Sequence, residues 1–99
     1  MSALSFRLIL SDPAQEDLSD ILSYTLQTWG EGPLAEYKRK LDRALKAITE
    51  NPQAGRSRHG MRVYPVGRHL VFYRIEETAQ TVLVARILHE RMDAVRHLT

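Results

Sequence analysis

A chain of 99 residues, 43% hydrophobic and 26% charged, makes one globular domain with little apolar surface beyond a single core. It has no apolar run near the ~20 residues of a membrane span, no basic-then-apolar pattern in its first residues, and no cysteine for disulfides or thiolate metal sites; a cytoplasmic protein is expected. The net charge of +2 is too small for an obligate nucleic-acid binder, and it is unevenly divided. Residues 1–51 carry six Lys/Arg against eight Asp/Glu, whereas residues 52–99 carry eight arginines, no lysine, four acids and all four histidines. A basic half made of arginine alone suits oriented bidentate contacts with carboxylates or phosphates, or aliphatic stems laid over a small sheet.

In chain order, Leu4, Phe6, Leu8 and Leu10 alternate with Ser5, Arg7, Ile9 and Ser11, which predicts an opening strand. Asp12-Pro13-Ala14-Gln15 then offers an N-cap, a proline for the first helical position and a capping-box glutamine. Leu18, Ile21, Leu22, Thr25 and Trp29 follow at helical spacing, and Gly30 is placed to stop the helix. The acidic first turn (Asp12, Glu16, Asp17, Asp20) suits the helix dipole and repels phosphate, so this helix is not a nucleic-acid reader.

Gly32-Pro33 opens a second helix with Leu34, Tyr37, Leu41, Ala44, Leu45 and Ile48 as its stripe, ended by Asn51-Pro52. Two helices joined by Gly30-Glu31-Gly32 form a hairpin whose narrow apolar stripes need a sheet to cover. Residues 52–60, rich in Gly, Ser and Arg, read as a loop. Met61–Val66 reads as a strand made edge-like by Pro65, Gly67-Arg68 as a tight turn, and His69–Ile75 as the next strand. Glu76–Gln80 turns into the last strand, and residues from Met92 to Leu98 have room for about two helical turns.

The last strand is the most informative stretch. Period two places Val82, Val84, Arg86 and Leu88 on one face and Leu83, Ala85, Ile87 and His89 on the other. Arg86 cannot lose its proton, so within this apolar run it needs acceptors or water. Backbone carbonyls, or an acid such as Glu76 or Asp93, are the structural candidates.

The pieces Asp17-Leu18, Tyr24, Trp29-Gly30, Asn51-Pro52 and Gly55 precede Met61-Arg62, the Gly67-to-Arg74 run and Val84-Ala85-Arg86-Ile87-Leu88-His89-Glu90-Arg91-Met92-Asp93. In this order and spacing they resemble the ParE branch of the RelE/ParE toxin superfamily over nearly the whole chain. The resemblance implies an α+β fold: a helical hairpin on a small, mostly antiparallel four-stranded sheet (β-α-α-β-β-β) with a short C-terminal helix. It implies a toxin neutralised by a ParD-like antitoxin, acting on DNA gyrase by binding, without cofactor, metal, membrane or sequence-specific DNA contact.

RelE-like relatives instead cut messenger RNA on the ribosome, and a shared fold does not choose between the two activities. Cleavage needs a base, an acid and cations at the phosphorane. In RelE-like relatives lysines and arginines on the sheet and a C-terminal tyrosine or histidine-tyrosine pair fill these roles; here the residues after His89 include no tyrosine and the basic half no lysine, so the resemblance assigns no catalytic residue, and Arg68, Arg86 and His89 are the alternative set. The resemblance also implies a groove for the antitoxin, with an expected lining of Leu18, Leu22, Leu41, Leu45, Val71 and Tyr73 and with Arg68, Arg74 and Arg91 as cations for its acidic tail. His69 and His97 lack partners at metal spacing.

Overall fold

A computed structural model describes residues 6–98. Strand β1 (Arg7–Leu10) leads into helices α1 (Asp12–Trp29) and α2 (Glu31–Glu50). A single 3-10 turn (Pro52–Ala54) precedes strands β2 (Arg56–Arg58), β3 (Met61–Val66), β4 (His69–Glu76) and β5 (Thr81–His89), and helix α3 (Ala94–Leu98) closes the described chain. The sheet has five strands in the order β1-β5-β4-β3-β2, antiparallel except for the parallel β1–β5 pair. Leu4 and Ser5 of the expected first strand lie outside the described residues.

The α+β plan matches the sequence expectation, with one strand more than the four expected. Residues 56–58, read as loop, pair with Met61–Val63 because His59 and Gly60 both take positive φ (53° and 76°). Two successive left-handed residues make the two-residue turn whose twist fits a hairpin, so a polar segment with no apolar pattern becomes a strand. Pro65 sits on β3 beyond the last residue β2 reaches, where the strand is an edge and proline is tolerated.

The first helix starts one residue earlier than expected. Ser11 is its N-cap: its hydroxyl accepts the Ala14 N–H (3.1 Å) and donates to the Ala85 carbonyl of β5 (2.7 Å), so one side chain ties helix start to sheet. Gly30, at φ 91°, ends α1 and also begins α2. The link is therefore this one residue, since Glu31 and Gly32 already belong to α2.

The hairpin covers one face of the sheet. Its Ala14, Leu41, Ala44 and Ile48 pack with Val66, Val71, Tyr73, Val82, Val84 and Ile87. On the opposite face α3 sets Ala94 and Leu98 against Val63, Phe72 and Leu88. Val82 and Val84 thus share a face with Ile87, and Leu88 lies on the other, contrary to strict alternation. Ladder register gives the reason: Phe72 faces Arg86 and Tyr73 faces Val84, so Ala85 is an extra residue on β5. This bulge shifts the side-chain phase by one place in mid-strand.

Candidate functional site

The bulge places Arg86 where β1 has ended and the edge of β5 is open. From α1, the Asp17 carboxylate accepts from Arg86 Nε (2.7 Å) and Nη2 (2.8 Å) and also from the Ile87 backbone N–H (3.0 Å). Asp17 therefore supplies the ladder acceptor that a longer β1 would have given, while neutralising the guanidinium. Arg86 Nη1 reaches the His97 carbonyl in α3 (3.2 Å), so the residue joins the two layers around the sheet edge. Burial alone would raise the Asp17 pKa, but the hydrogen bonds from Arg86 and Ile87 outweigh it and hold the carboxyl below its ordinary value. The acid is thus Asp17, in place of Glu76 or Asp93, and the carbonyl belongs to the C-terminal helix.

A second lock lies under the hairpin. The buried Tyr73 hydroxyl donates to the Pro52 carbonyl (2.7 Å) and accepts the Gly55 N–H (2.9 Å). Gly55 is close enough that a Cβ there would lie 2.9 Å from the Val63 carbonyl oxygen. Arg62 Nη1 donates to the Gly55 carbonyl (2.6 Å), so the turn leading into β2 is held from both sides.

Two histidines meet where β4 begins and β5 ends. His69 faces His89 edge-on, with ring centroids 5.4 Å apart, and its Nδ1 lies 3.3 Å from the Tyr37 hydroxyl. Burial pushes the Tyr37 hydroxyl up to about 12, so it stays protonated beside His69. Burial lowers the His69 pKa, and neighbouring His89 lowers it further. His89 Nδ1 accepts the Arg91 N–H (3.1 Å). Beside this pair Asp20, Ile21, Tyr24, Thr25 and Met92 help to line a depression of about 290 Å³.

Among the expected site residues, Leu41, Val71 and Tyr73 are buried between hairpin and sheet. In this structure the two layers pack directly on each other at these three residues, which belong to the core cluster. Leu18, Leu22 and Leu45 are half-buried on the helices, and Arg68, Arg74 and Arg91 are exposed. Arg68 pairs loosely with Glu90 (3.4 Å). Arg74 stands six residues along β4 from Arg68, roughly 20 Å of strand, so the expected cations do not form one cluster. Of the ribonuclease set, Arg68 and His89 share the Glu90 end of the sheet, while Arg86 is turned away into its pair with Asp17. Among the described residues no three His, Asp or Glu side chains are placed to hold a metal.

The sequence reading missed Asp17 as the partner of Arg86, although its place on α1, three residues after Ala14 and four before Ile21, is on the packed side of the helix. It also missed the hydroxyl of Tyr73 and the strand on which the exposed Arg56 and Arg58 stand. Arginines at alternate positions of a strand share a face, a signal hidden by reading 52–60 as a loop.

A profile of the ParE toxin of type II toxin–antitoxin systems, parDE, matches residues 8–94. The chain belongs to the ParE toxin family. Toxin ParE1 of Mycobacterium tuberculosis is 37% identical over 99 residues, covering 96% of this chain and 100% of that protein. Toxin ParE1 of Caulobacter vibrioides is 39% identical over 93 residues, covering 90% and 94%. In shape, the chain matches one from the chromosomal ParDE system of P. aeruginosa (TM-score 0.70, 15% identity, 86% and 96% coverage). It also matches one from the RelBE2 toxin–antitoxin complex of Mycobacterium tuberculosis (TM-score 0.63, 20% identity, 87% and 99% coverage). These two likenesses establish the fold, and the higher identities and family profile establish the ParE branch.

Proposed function

We propose that this ParE-family toxin acts in the cytoplasm by binding DNA gyrase, without a catalytic step of its own, and that a ParD-like antitoxin neutralises it. The observation that carries the mechanistic part is the commitment of Arg86. Its guanidinium gives two hydrogen bonds to Asp17 and one to the His97 carbonyl, so the central cation of the ribonuclease alternative is spent on the fold. His89 uses Nδ1 to hold the Arg91 amide. A phosphorane-stabilising site needs charge aimed at the reacting phosphate, and here that charge faces a carboxylate of the same chain.

The antitoxin assignment is supported by the ParE1 names of the relatives and by the ParDE description of the structural neighbour. The target is carried by the resemblance of the Tyr73-Arg74 strand and the run from Arg86 to Asp93 to the gyrase-directed branch. Purified gyrase with rising amounts of the toxin tests it: supercoiling should fall as the toxin approaches stoichiometry with gyrase. Undiminished supercoiling at saturating toxin, together with cleavage of messenger in a translation extract that disappears in Arg68→Ala and His89→Ala variants, would replace this reading with the ribonuclease.

A further inference from the structure

Three of the four histidines make a side-chain hydrogen bond among the described residues, each through Nδ1. The bonds differ in what a proton does to them. His97 Nδ1 lies 2.9 Å from the Asp93 carbonyl, which only accepts, so the nitrogen donates and the bond survives in the imidazolium. His69 Nδ1 meets the Tyr37 hydroxyl, which can donate or accept, so that contact also outlasts protonation. His89 is the exception. Its Nδ1 accepts the Arg91 N–H at 3.1 Å, and an N–H only donates. The neutral ring therefore carries its proton on Nε2, and a second proton can enter only at the nitrogen the amide occupies.

That nitrogen holds the link between β5 and α3. Residues 90–93 belong to no helix or strand. Their turn is fixed at three amides: Glu90 N–H to the Arg68 carbonyl (2.8 Å), Arg91 N–H to His89 Nδ1, and Met92 N–H to the His89 carbonyl (2.9 Å). Helix α3 has five residues, too few to stay helical without the sheet. It rests Ala94 and Leu98 on Phe72 and Leu88, with the Arg86 guanidinium on its His97 carbonyl. A change at His89 is thus passed to the element that covers this end of the sheet.

His69 is the cross-strand partner of His89 and stands edge-on to it, with centroids 5.4 Å apart, so a charge on one ring opposes a charge on the other. Burial first, and then His89, lower the His69 pKa, while Glu90 raises it. The other titratable or charged groups around the pair are Tyr37 from α2, Asp20 and Tyr24 from α1, Arg68 in the turn before β4, and Arg91. From β3 only Val66 stands opposite His69. Asp20 and Glu90 favour a proton on the pair, and Arg68 and Arg91 oppose it.

We infer that His89 is a proton-operated latch: its neutral ring pins the link to α3 against the end of β5, and gain of a proton at Nδ1 frees the Arg91 amide and loosens α3 from Phe72 and Leu88. Mild acid, where an imidazole changes charge, then uncovers two apolar side chains while the hairpin and sheet stay folded.

Amide hydrogen exchange of the full chain, read by NMR at about pH 7.5 and about pH 5.5 and corrected for intrinsic rates, tests this. The Arg91 and Arg96 amides should lose about tenfold in protection at the lower pH, the equivalent of one hydrogen bond, while amides within α1 and α2 keep theirs. Over the same range the His89 ring nitrogens should pass from the Nε2–H form to the doubly protonated form. His89→Asn offers a side-chain oxygen near the place of Nδ1 and takes up no proton, so its protection should not change with pH. A His89 ring that stays neutral at the lower pH would overturn the latch, as would one that gains its proton while Arg91 stays protected. Both readings use the parent alone and stand even if the variant does not fold. An undiminished response in folded His89→Asn would assign the effect to His69 or the carboxylates. Protection lost equally through α1 and α2 would make it global unfolding. Either result would also overturn the proposal.

Discussion

Arg86 and Asp17 are worth more to this fold than their single ion pair suggests, because Asp17 also holds the Ile87 amide and Arg86 the end of α3. Their side chains are only 24% and 14% exposed, so removing either leaves a poorly hydrated charge. Arg86→Ala should cost about 3 kcal/mol, the low end for breaking a buried pair since some water remains; the shift in urea midpoint at constant slope checks it. The depressed Asp17 pKa has a definite sign in pH: its contribution is present above the unfolded value of 3.8 and is lost as pH falls through the lower folded value. Asp17→Asn should therefore be less stable at neutral pH, with a gap to the parent that closes on acidification below about 4, read by melting curves across that range. Tyr73→Phe should cost about 1–3 kcal/mol, because the Gly55 amide and Pro52 carbonyl lose a buried partner. The need for an acceptor at Arg86 was legible in the sequence, since an arginine in a valine-rich strand has few other fates. Its partner was not, because Asp17 is 69 positions away and only the fold brings the two together.

At the scale of elements, the helices were legible because each is long and its stripe meets clear stop signals, Gly30 and Asn51-Pro52. β2 was not, since three exposed residues carry no periodicity and the strand exists through the turn beside it. The bulge in β5 escaped for a related reason: nothing local in Val84-Ala85-Arg86 marks an extra residue, and the phase is set by packing from both faces. Deleting Ala85 removes the extra residue and restores alternation with Val84, Ile87 and Leu88 still on the faces they now fill, so a cooperative unfolding transition should remain by circular dichroism, with a stability loss of about 1–3 kcal/mol from disturbing the Ser11 hydrogen bond to the Ala85 carbonyl. The junction of β4, β5 and α2 carries a second pH effect. Burial, with His89 beside it, depresses the His69 pKa, so its contribution is present above the unfolded value of 6.5 and is lost as pH falls through 6.5 toward the lower folded value. Denaturation midpoints should decline from pH 7.5 to about 5 in the parent and decline less in His69→Phe, which has no proton to gain.

Taken as a whole molecule, the chain uses its basic half unevenly: Arg62 and Arg86 hold the fold, Arg68 lies beside Glu90, and Arg58 and Arg74 are exposed with no side-chain hydrogen bond among the described residues. Charge counts forecast a patch but not its place, because the split between structural and free arginines depends on strand register. A toxin acting by occupancy should show inhibition that tracks gyrase concentration and reaches its end point without further turnover, whereas a catalyst acts far below stoichiometry. His89 is the residue on which the two mechanisms part. In the present structure its ring accepts the Arg91 amide and packs edge-on to His69, so His89→Ala should lower the melting temperature by about 2–6 °C, corresponding to the loss of one turn contact. If the toxin works by occupancy, the folded variant should still inhibit supercoiling within threefold of the parent, assayed below its own melting transition. A variant that melts like the parent but no longer arrests growth would place His89 in the chemistry, and the role of a purely structural ring would have to be given up.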